Sequence, residues 1–257
     1  MSESKEVSVQ SYVQNVNVIS RVENLLKDRT PQFITSLLSL VNSNEQLSRC
    51  NPQSVLNAAM TAASLNLPIN SNLGFAYVIP YKDKAQFQMG YKGFIQLAQR
   101  SGQYKTIAAT EVYEGQLVDE NPLYGNTYDW SAKKSNKVIG YVALFVLLNG
   151  FEKTLYMTKD EMEKHAKEYS QSYKNNKGFW MEDFNAMAKK TVIKLLLSKF
   201  GQLSTEMQKA IKYDQAVIND SIDDIDYVDN DRLAEELADD NKIKAILEAH
   251  KENDKDS

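Results

Sequence analysis

A lysine and a tyrosine stand between two glycines in the stretch of this chain that is best placed to do chemistry. Gly90 and Gly93 flank Tyr91 and Lys92, and two glycines this close indicate a tight turn or the near approach of another backbone. Apolar side chains and glutamines alternate over residues 85–89, which is the period of a half-buried strand. The pattern therefore predicts a strand that runs into a glycine turn.

A helix is predicted to follow this turn. From Phe94 the apolar residues take helical spacing, and Gly102 stands where a left-handed C-cap residue belongs. A helix N-terminus attracts anions, Lys92 adds a full charge, and Tyr91 offers a flat face for a base. The alternative is a strand–helix turn without a ligand. No Walker loop and no G-x-G-x-x-G pattern occurs in the chain.

More lysines and aromatic residues accompany this turn in two later segments. A basic groove with interleaved aromatic rings is how proteins hold single-stranded nucleic acid without reading its sequence. For each lysine the alternative is an exposed, solubilising charge, and for Phe179 and Trp180 it is packing in the core. The predicted DNA-binding residues are Tyr91, Lys92, Arg100, Tyr104, Lys105, Lys133, Lys134, Phe179, Trp180, Lys189, Lys190 and Lys194.

The sequence offers little for catalysis. His165 and His250 are the two histidines, no G-x-S-x-G pattern occurs, and Cys50 is the single cysteine. We therefore predict a protein that is not an enzyme and that needs no cofactor or metal. The one alternative of the enzyme class is a metal-dependent nuclease, in which the acidic residues between 223 and 231 would bind the metal. The other interpretation of these residues is a solvated linker.

The charge of the chain is unevenly distributed. The net charge is −4 over 257 residues, but residues 219–257 hold 14 Asp and Glu against 5 Lys and Arg. The preceding residues hold 25 Lys and Arg against 20 Asp and Glu, so a basic body carries an acidic tail. There is no signal peptide pattern and no apolar run long enough to span a membrane, which favours a cytoplasmic protein without a membrane partner.

The predicted fold class is α+β, with a small antiparallel sheet of hairpins packed against several helices. The clearest hairpin turns at Asn149-Gly150, and a long helix is predicted over residues 180–200. We divide the chain into a flexible N-terminal arm (1–18), a core that carries the predicted DNA-binding residues (19–218), and an acidic linker with a short C-terminal helix (219–257).

The run from Met89 to Gly102, M-G-Y-K-G-F-I-Q-L-A-Q-R-S-G, closely resembles the signature of the RecT family of phage single-strand DNA annealing proteins. The resemblance extends upstream through L-N-L-P at 65–68 and A-Y-V-I-P-Y at 76–81. Downstream it reaches A-M-A-K-K-T at 186–191, and it covers residues 30–215 in all.

This resemblance implies ATP-independent binding of single-stranded DNA and annealing of complementary strands in phage homologous recombination, through a duplex intermediate. It implies self-association in rings or helical filaments inside the bacterial host cell. Partner contacts with a phage exonuclease and the host single-strand-binding protein are expected through the acidic tail. The rival within the binding class is a passive protector of single strands that does not anneal them.

Overall fold

A computed structural model describes residues 7–219 and 224–227 of the chain. The helices are α1 Val9–Val13, α2 Val16–Leu26, α3 Thr30–Asn42, α4 Glu45–Ser48, α5 Pro52–Ser64, α6 Tyr91–Arg100, α7 Lys159–Tyr169, α8 Gln171–Lys174, α9 Phe179–Glu182, α10 Phe184–Phe200 and α11 Thr205–Tyr213. The strands are β1 Ala76–Tyr81, β2 Lys84–Met89, β3 Tyr104–Tyr113, β4 Leu117–Asp119, β5 Thr127–Tyr128, β6 Val138–Leu147, β7 Glu152–Thr158, β8 Val217–Ile218 and β9 Ile225–Asp226. The predicted α+β class is confirmed.

A three-stranded antiparallel sheet with the order β3-β6-β7 forms one layer of the core. Alternate residues of β6 are fully buried, among them Tyr141 and Phe145, because α10 lies across this face of the sheet. The ring of Tyr141 packs on Phe184 at the start of α10. The hairpin predicted at Asn149-Gly150 is the β6–β7 connection, where Gly150 has a φ of +88°. This layer holds α10 in place.

The β1–β2 hairpin forms a separate two-stranded sheet that leads into α6. The strand over residues 85–89 is not half-buried as predicted, since Gln86 and Gln88 are also buried. Helix α5 and β8 pack against β2, and the amide of Gln88 contacts the sulfur of Met187 on α10. Helix α6 begins at Tyr91 and not at Phe94, so Gly93 lies inside its first turn.

Helix α1 and the first residues of α2 lie within residues 7–18, which belong to the predicted flexible N-terminal arm. Ser8 caps α1 by accepting a hydrogen bond from the backbone N–H of Ser11, and Val9 and Val13 are buried against the core. Two apolar residues four positions apart give only one turn of helical period. The pattern was therefore too short to be recognised in sequence. Residues 1–6 of the predicted arm lie outside the described residues.

The long helix predicted over residues 180–200 is divided in two. Asp183 has a non-helical backbone, and its side chain accepts a hydrogen bond from the N–H of Ala186, which makes it the N-cap of α10. The short helix α9 precedes this cap. Only residues 219 and 224–227 of the predicted acidic tail are described, and the predicted C-terminal helix lies outside the described residues.

Candidate nucleic-acid interface

The two glycines that flank Tyr91 and Lys92 allow another backbone to approach. A Cβ atom on Gly90 would lie 2.0 Å from the carbonyl oxygen of Gly74, and one on Gly93 would lie 2.2 Å from that of Phe75. Real Cβ contacts are never this short, so both positions need glycine. The N–H of Gly90 donates to the carbonyl of Phe75 at 2.9 Å. Residues 74–75 therefore fix where α6 begins.

Tyr91 and Lys92 occupy the first turn of α6, and Lys189 of α10 lies over the ring of Tyr91. Helix α6 has no side-chain cap at its N-terminus, so its first amides keep the partial positive charge of a helix start. Lys92 is exposed. The Lys189 Nζ lies 5.5 Å from the centre of the Tyr91 ring, a cation–π distance. A phosphate near the Tyr91 ring would meet the helix start and the ammonium group of Lys189, and exposed Lys92 is the next residue along the chain.

Lys189 is held in place by Glu111 of β3. The Lys189 Nζ and the Glu111 Oε1 are 2.7 Å apart, and the side chains are 20% and 17% exposed. Burial acts to raise the pKa of Glu111, but the hydrogen bond and the charge of Lys189 outweigh it, and the pKa lies below its usual value. Glu111 therefore stays ionised at neutral pH and orients Lys189 at the edge of the surface.

Two further aromatic rings extend this surface. Tyr77 of β1 packs beside Gly90, and its ring centre is 5.4 Å from that of Phe179, whose side chain is partly exposed. Sequence reasoning missed Tyr77 as a candidate, although it lies within the A-Y-V-I-P-Y segment. We call the surface formed by Tyr77, Tyr91, Lys92, Phe179 and Lys189 the turn face.

Lys190 and Lys194 turn away from the turn face and bind a buried carboxylate. The Nζ of Lys190 and the Nζ of Lys194 each lie 2.8 Å from an oxygen of Asp214, which is fully buried. Lys190 is only 4% exposed. Of the two adjacent lysines on α10, the first reaches the surface and the second is part of the core. We call Lys190, Lys194 and Asp214 the buried ion cluster.

Asp214 also anchors the turn that carries Tyr91 and Lys92. Its Oδ1 accepts a hydrogen bond of 2.9 Å from the backbone N–H of Met89, the residue before Gly90. Burial acts to raise the pKa of Asp214, but the two ammonium groups outweigh it and hold the pKa below the ordinary value. The cluster thus ties α10, the end of β2 and the segment after α11 together.

Three other predicted residues hold the fold together. The guanidinium of Arg100 donates to the carbonyls of Leu65 and Asn66, both at 2.8 Å, and so caps the end of α5. Tyr104 is buried and donates its hydroxyl to the carbonyl of Gln202 at 2.9 Å. Trp180 is buried among aromatic rings, 5.2 Å from Phe184 between centres. For Trp180 the alternative of core packing is therefore the one observed.

The remaining predicted lysines are exposed at other places. Lys105 lies on the surface of β3. Lys133 and Lys134 lie in the long connection between β3 and β6. The Lys133 Nζ is 3.5 Å from the centre of the ring of Tyr113, the last residue of β3. The backbone N–H of Lys134 donates to the carbonyl of Glu114. All three side chains are exposed to solvent, and the contacts of Lys133 and Lys134 are with residues at the end of β3 or directly after it.

A cavity of about 220 Å³ opens beside the buried ion cluster. Its lining includes His165 of α7, whose ring stacks on that of Tyr169 with 4.4 Å between centres. Within residues 7–219 and 224–227, no group of three or more His, Cys, Asp or Glu side chains could hold a metal ion. Over the same residues, no helix is long and apolar enough to cross a membrane.

Comparisons with known proteins identify the family of this chain. The uncharacterized protein YqaK of Bacillus subtilis (strain 168) is 52% identical over 196 residues, which cover 76% of this chain and 68% of that protein. Protein RecT of Escherichia coli (strain K12) is 31% identical over 179 residues, which cover 66% of this chain and 65% of that protein. The sequence profile of the RecT family matches residues 31–229, which contain both the turn face and the buried ion cluster. This chain therefore belongs to the RecT family.

Proposed function

We propose that this protein binds single-stranded DNA on the turn face and anneals complementary strands without ATP during phage homologous recombination. The observation that carries the proposal is the ammonium group of Lys189 over the ring of Tyr91 at the start of α6, where exposed Lys92 is the next residue. Membership of the RecT family supports the annealing activity, because proteins of this family are annealing proteins and not catalytic enzymes.

The turn face suits a strand whose bases remain free to pair. Lysines and helix amides bind phosphates without reading the sequence, and each phosphate contact releases counterions. The rings of Tyr77, Tyr91 and Phe179 supply apolar faces on which bases can rest. In the proposed mechanism, one strand lies along successive subunits, and a second strand pairs wherever its bases match. Sequence specificity then comes from base pairing, as it does in guide-directed recognition.

A single turn face is too small to hold a long strand, so the mechanism needs many copies of the chain. We infer that the protein assembles in rings or helical filaments, as the family resemblance implies. The acidic tail is the proposed contact for a phage exonuclease and for the host single-strand-binding protein. A bacterial cytoplasm is the compartment in which all these partners meet.

The direct test follows the annealing of two dye-labelled complementary oligonucleotides with no ATP present, across a series of salt concentrations. We expect strong acceleration at low salt that fades as salt rises, because phosphate contacts dominate the affinity. Tight binding of each strand without acceleration would contradict annealing and would leave a passive protector.

The nuclease alternative has its own test. Of its proposed ligands, Asp224 and Asp226 are described, and both carboxylates accept hydrogen bonds from the amide of Asn219. Labelled single-stranded DNA is incubated with the protein and Mg²⁺, and its length is followed on a denaturing gel. Shortened DNA would support the nuclease, whereas intact DNA over hours agrees with an annealing protein.

A further inference from the structure

The three-stranded sheet has two outer strands, and within the described residues each of them pairs on one side alone. The strand order is β3-β6-β7, so β3 and β7 both present a free edge. An edge strand carries a row of backbone N–H and C=O groups that can pair with a further strand. The register of the sheet and the hydrogen bonds at its ends identify the residues that point these groups outwards.

On β7 the outward groups belong to Glu152, Thr154 and Tyr156. The N–H of Leu147 donates to the carbonyl of Phe151 at 2.8 Å and closes the β6–β7 hairpin. The bonds between these two strands recur at every second residue from Phe151, so the even-numbered residues of β7 face away from β6. In the part of the chain that the structure describes, nothing accepts a hydrogen bond from the N–H groups of these three residues.

On β3 the outward groups include those of Ile107 and Ala109. The odd-numbered residues of β6 face β7, so its even-numbered residues face β3. The register of β3 and β6 then directs the even-numbered residues of β3 towards β6 and the odd-numbered ones outwards. The N–H of Tyr113 fits this alternation, since it donates to the side chain of Gln116. The N–H groups of Ile107 and Ala109 have no hydrogen-bond partner among the described residues.

A cavity of about 760 Å³ reaches the free edge of β7. Its lining includes Thr154, on the sheet face away from α10, and also Lys153, on the opposite face. The Lys153 Nζ lies 5.6 Å from the centre of the ring of Phe200, the last residue of α10. Residues 120–126, which connect β4 and β5, line the cavity as well. A cavity lined from both faces of one outer strand leaves the edge of that strand accessible.

We propose that β7 of one copy of the chain pairs with β3 of the next copy, so that one sheet continues from subunit to subunit. This contact rests on the proposed function, which needs many copies in a row. The two edges belong to different strands, so each copy uses one edge and offers the other. A head-to-tail contact of this kind builds a ring when the rotation closes and a helical filament when it does not. Pairing of β7 with β7 alone would stop at two copies.

The direction and the register of the contact follow from the sheet itself. Strands β3 and β7 are both antiparallel to β6, so copies with the same orientation pair these two strands in parallel. Thr154 and Ala108 both lie on the sheet face away from α10 and can stand opposite each other. The N–H of Thr154 then donates to the carbonyl of Ile107, and the N–H of Ala109 donates to the carbonyl of Thr154.

This register brings opposite charges together at the start of the two strands. It places Glu152 of one copy opposite Thr106 of the next, and Lys105 is the residue before Thr106. Glu152 and Lys105 are both exposed, and neither forms a salt bridge within the described part of its own chain. Opposite charges on neighbouring strands stabilise their pairing, and like charges weaken it. The two free edges of the chain are thus complementary in charge.

Proline substitutions test the two edges separately. Thr154→Pro and Ala109→Pro each remove one outward N–H, which an edge strand tolerates because its own sheet does not use that group. Sedimentation velocity of the full chain, with and without a single-stranded oligonucleotide, should show that wild type assembles and that neither variant does. An equimolar mixture of the variants should form a one-to-one dimer, because the first keeps its β3 edge and the second keeps its β7 edge.

Four outcomes would overturn the proposal. Wild type that stays monomeric in both conditions has no such contact, and proline variants that assemble like wild type use another surface. Assembly of Ala109→Pro but not of Thr154→Pro would assign the contact to β7 paired with β7. A mixture that stays monomeric, although both variants are folded by circular dichroism, would contradict the head-to-tail arrangement.

Exchange of exposed charges tests the same contact without a change in the backbone. Lys105→Glu and Glu152→Lys should each weaken assembly by up to about fivefold. The double variant should restore it, because the opposite charges meet again with their positions exchanged. Glu206→Lys, at an exposed site on α11, is the control and should leave assembly unchanged. A double variant that assembles no better than the single variants would contradict the register.

The outcomes for DNA are separate from those for assembly. Fluorescence anisotropy with a short labelled oligonucleotide measures binding to a single turn face. Thr154→Pro should bind this oligonucleotide like wild type and should lose most of the acceleration of annealing. If wild type does not bind the oligonucleotide, the proposed function fails, while the sedimentation of the mixed proline variants still decides the strand pairing.

Discussion

Lys189 and Lys190 are neighbours on α10, yet they lie in opposite environments. Lys189 reaches the turn face, paired with Glu111 at the edge of the sheet and close to the ring of Tyr91. Lys190 points into the core and binds Asp214, which is fully buried. One helix thus supplies a candidate DNA ligand from one side and a structural ion pair from the other. A pair of lysines in a sequence therefore does not by itself indicate a basic surface.

The largest expected effect comes from removing the carboxylate of the buried ion cluster. Asp214→Asn removes the carboxylate that the ammonium groups of Lys190 and Lys194 both contact, and breaking a buried pair in this way costs about 3–5 kcal/mol. We expect a loss of that size in the free energy of unfolding, measured by urea denaturation. Asp119→Asn, at an exposed site on β4, is the control and should change stability by less than about 0.5 kcal/mol. A stable Asp214→Asn variant would show that the cluster does not hold the fold.

The acid sensitivity of the protein should depend on the same carboxylate. The pKa of Asp214 is lower in the folded state than in the unfolded chain, so the unfolded state binds the proton first. The stability that Asp214 contributes is fully present above the ordinary carboxyl pKa of about 3.9 and is lost as pH falls through the lower folded value. Urea denaturation between pH 6 and pH 3 should show a steeper loss for wild type than for Asp214→Asn. Parallel curves would contradict this assignment.

Exchanging the two neighbouring lysines for methionine should separate the two environments. Lys190→Met leaves Asp214 with one ammonium group and should destabilise the fold by about 1–3 kcal/mol. Lys189→Met leaves the carboxylate of Glu111, 17% exposed, without its ammonium partner and should cost about 1–2 kcal/mol, less than the loss of a contact with fully buried Asp214. For single-stranded DNA we expect the reverse order, with the larger loss of affinity in Lys189→Met. The measurements are urea denaturation and fluorescence anisotropy with a labelled oligonucleotide. Equal losses of DNA affinity in the two folded variants would remove the distinction between the lysines.

Features set by neighbouring residues were predictable from the sequence. The β6–β7 hairpin follows from Asn149-Gly150, and Thr158 with Glu161 forms the capping box that starts α7. The need for glycine at positions 90 and 93 was also predicted. The sequence did not show which backbone approaches these two glycines. It is that of residues 74–75, directly before β1.

Features set by distant partners were not predictable. Lys190 is buried because Asp214 lies opposite it in the fold, and nothing near Lys190 in the chain indicates this. Arg100 caps α5, which ends more than thirty residues earlier. Gln86 and Gln88 look like the exposed face of a strand, but both faces of β2 are covered. A side chain's role follows from the position of its partner, and composition and spacing do not give that position.

The most direct test of the account is the salt dependence of single-stranded DNA binding by wild type and by Lys189→Gln. Each phosphate contact on a single strand contributes a slope of about −0.7 in a plot of log affinity against log salt concentration. The account predicts that Lys189→Gln binds more weakly at low salt and that its slope is less negative by about 0.7, or one contact per bound subunit. An unchanged slope in a folded variant would contradict the claim that the turn face binds DNA.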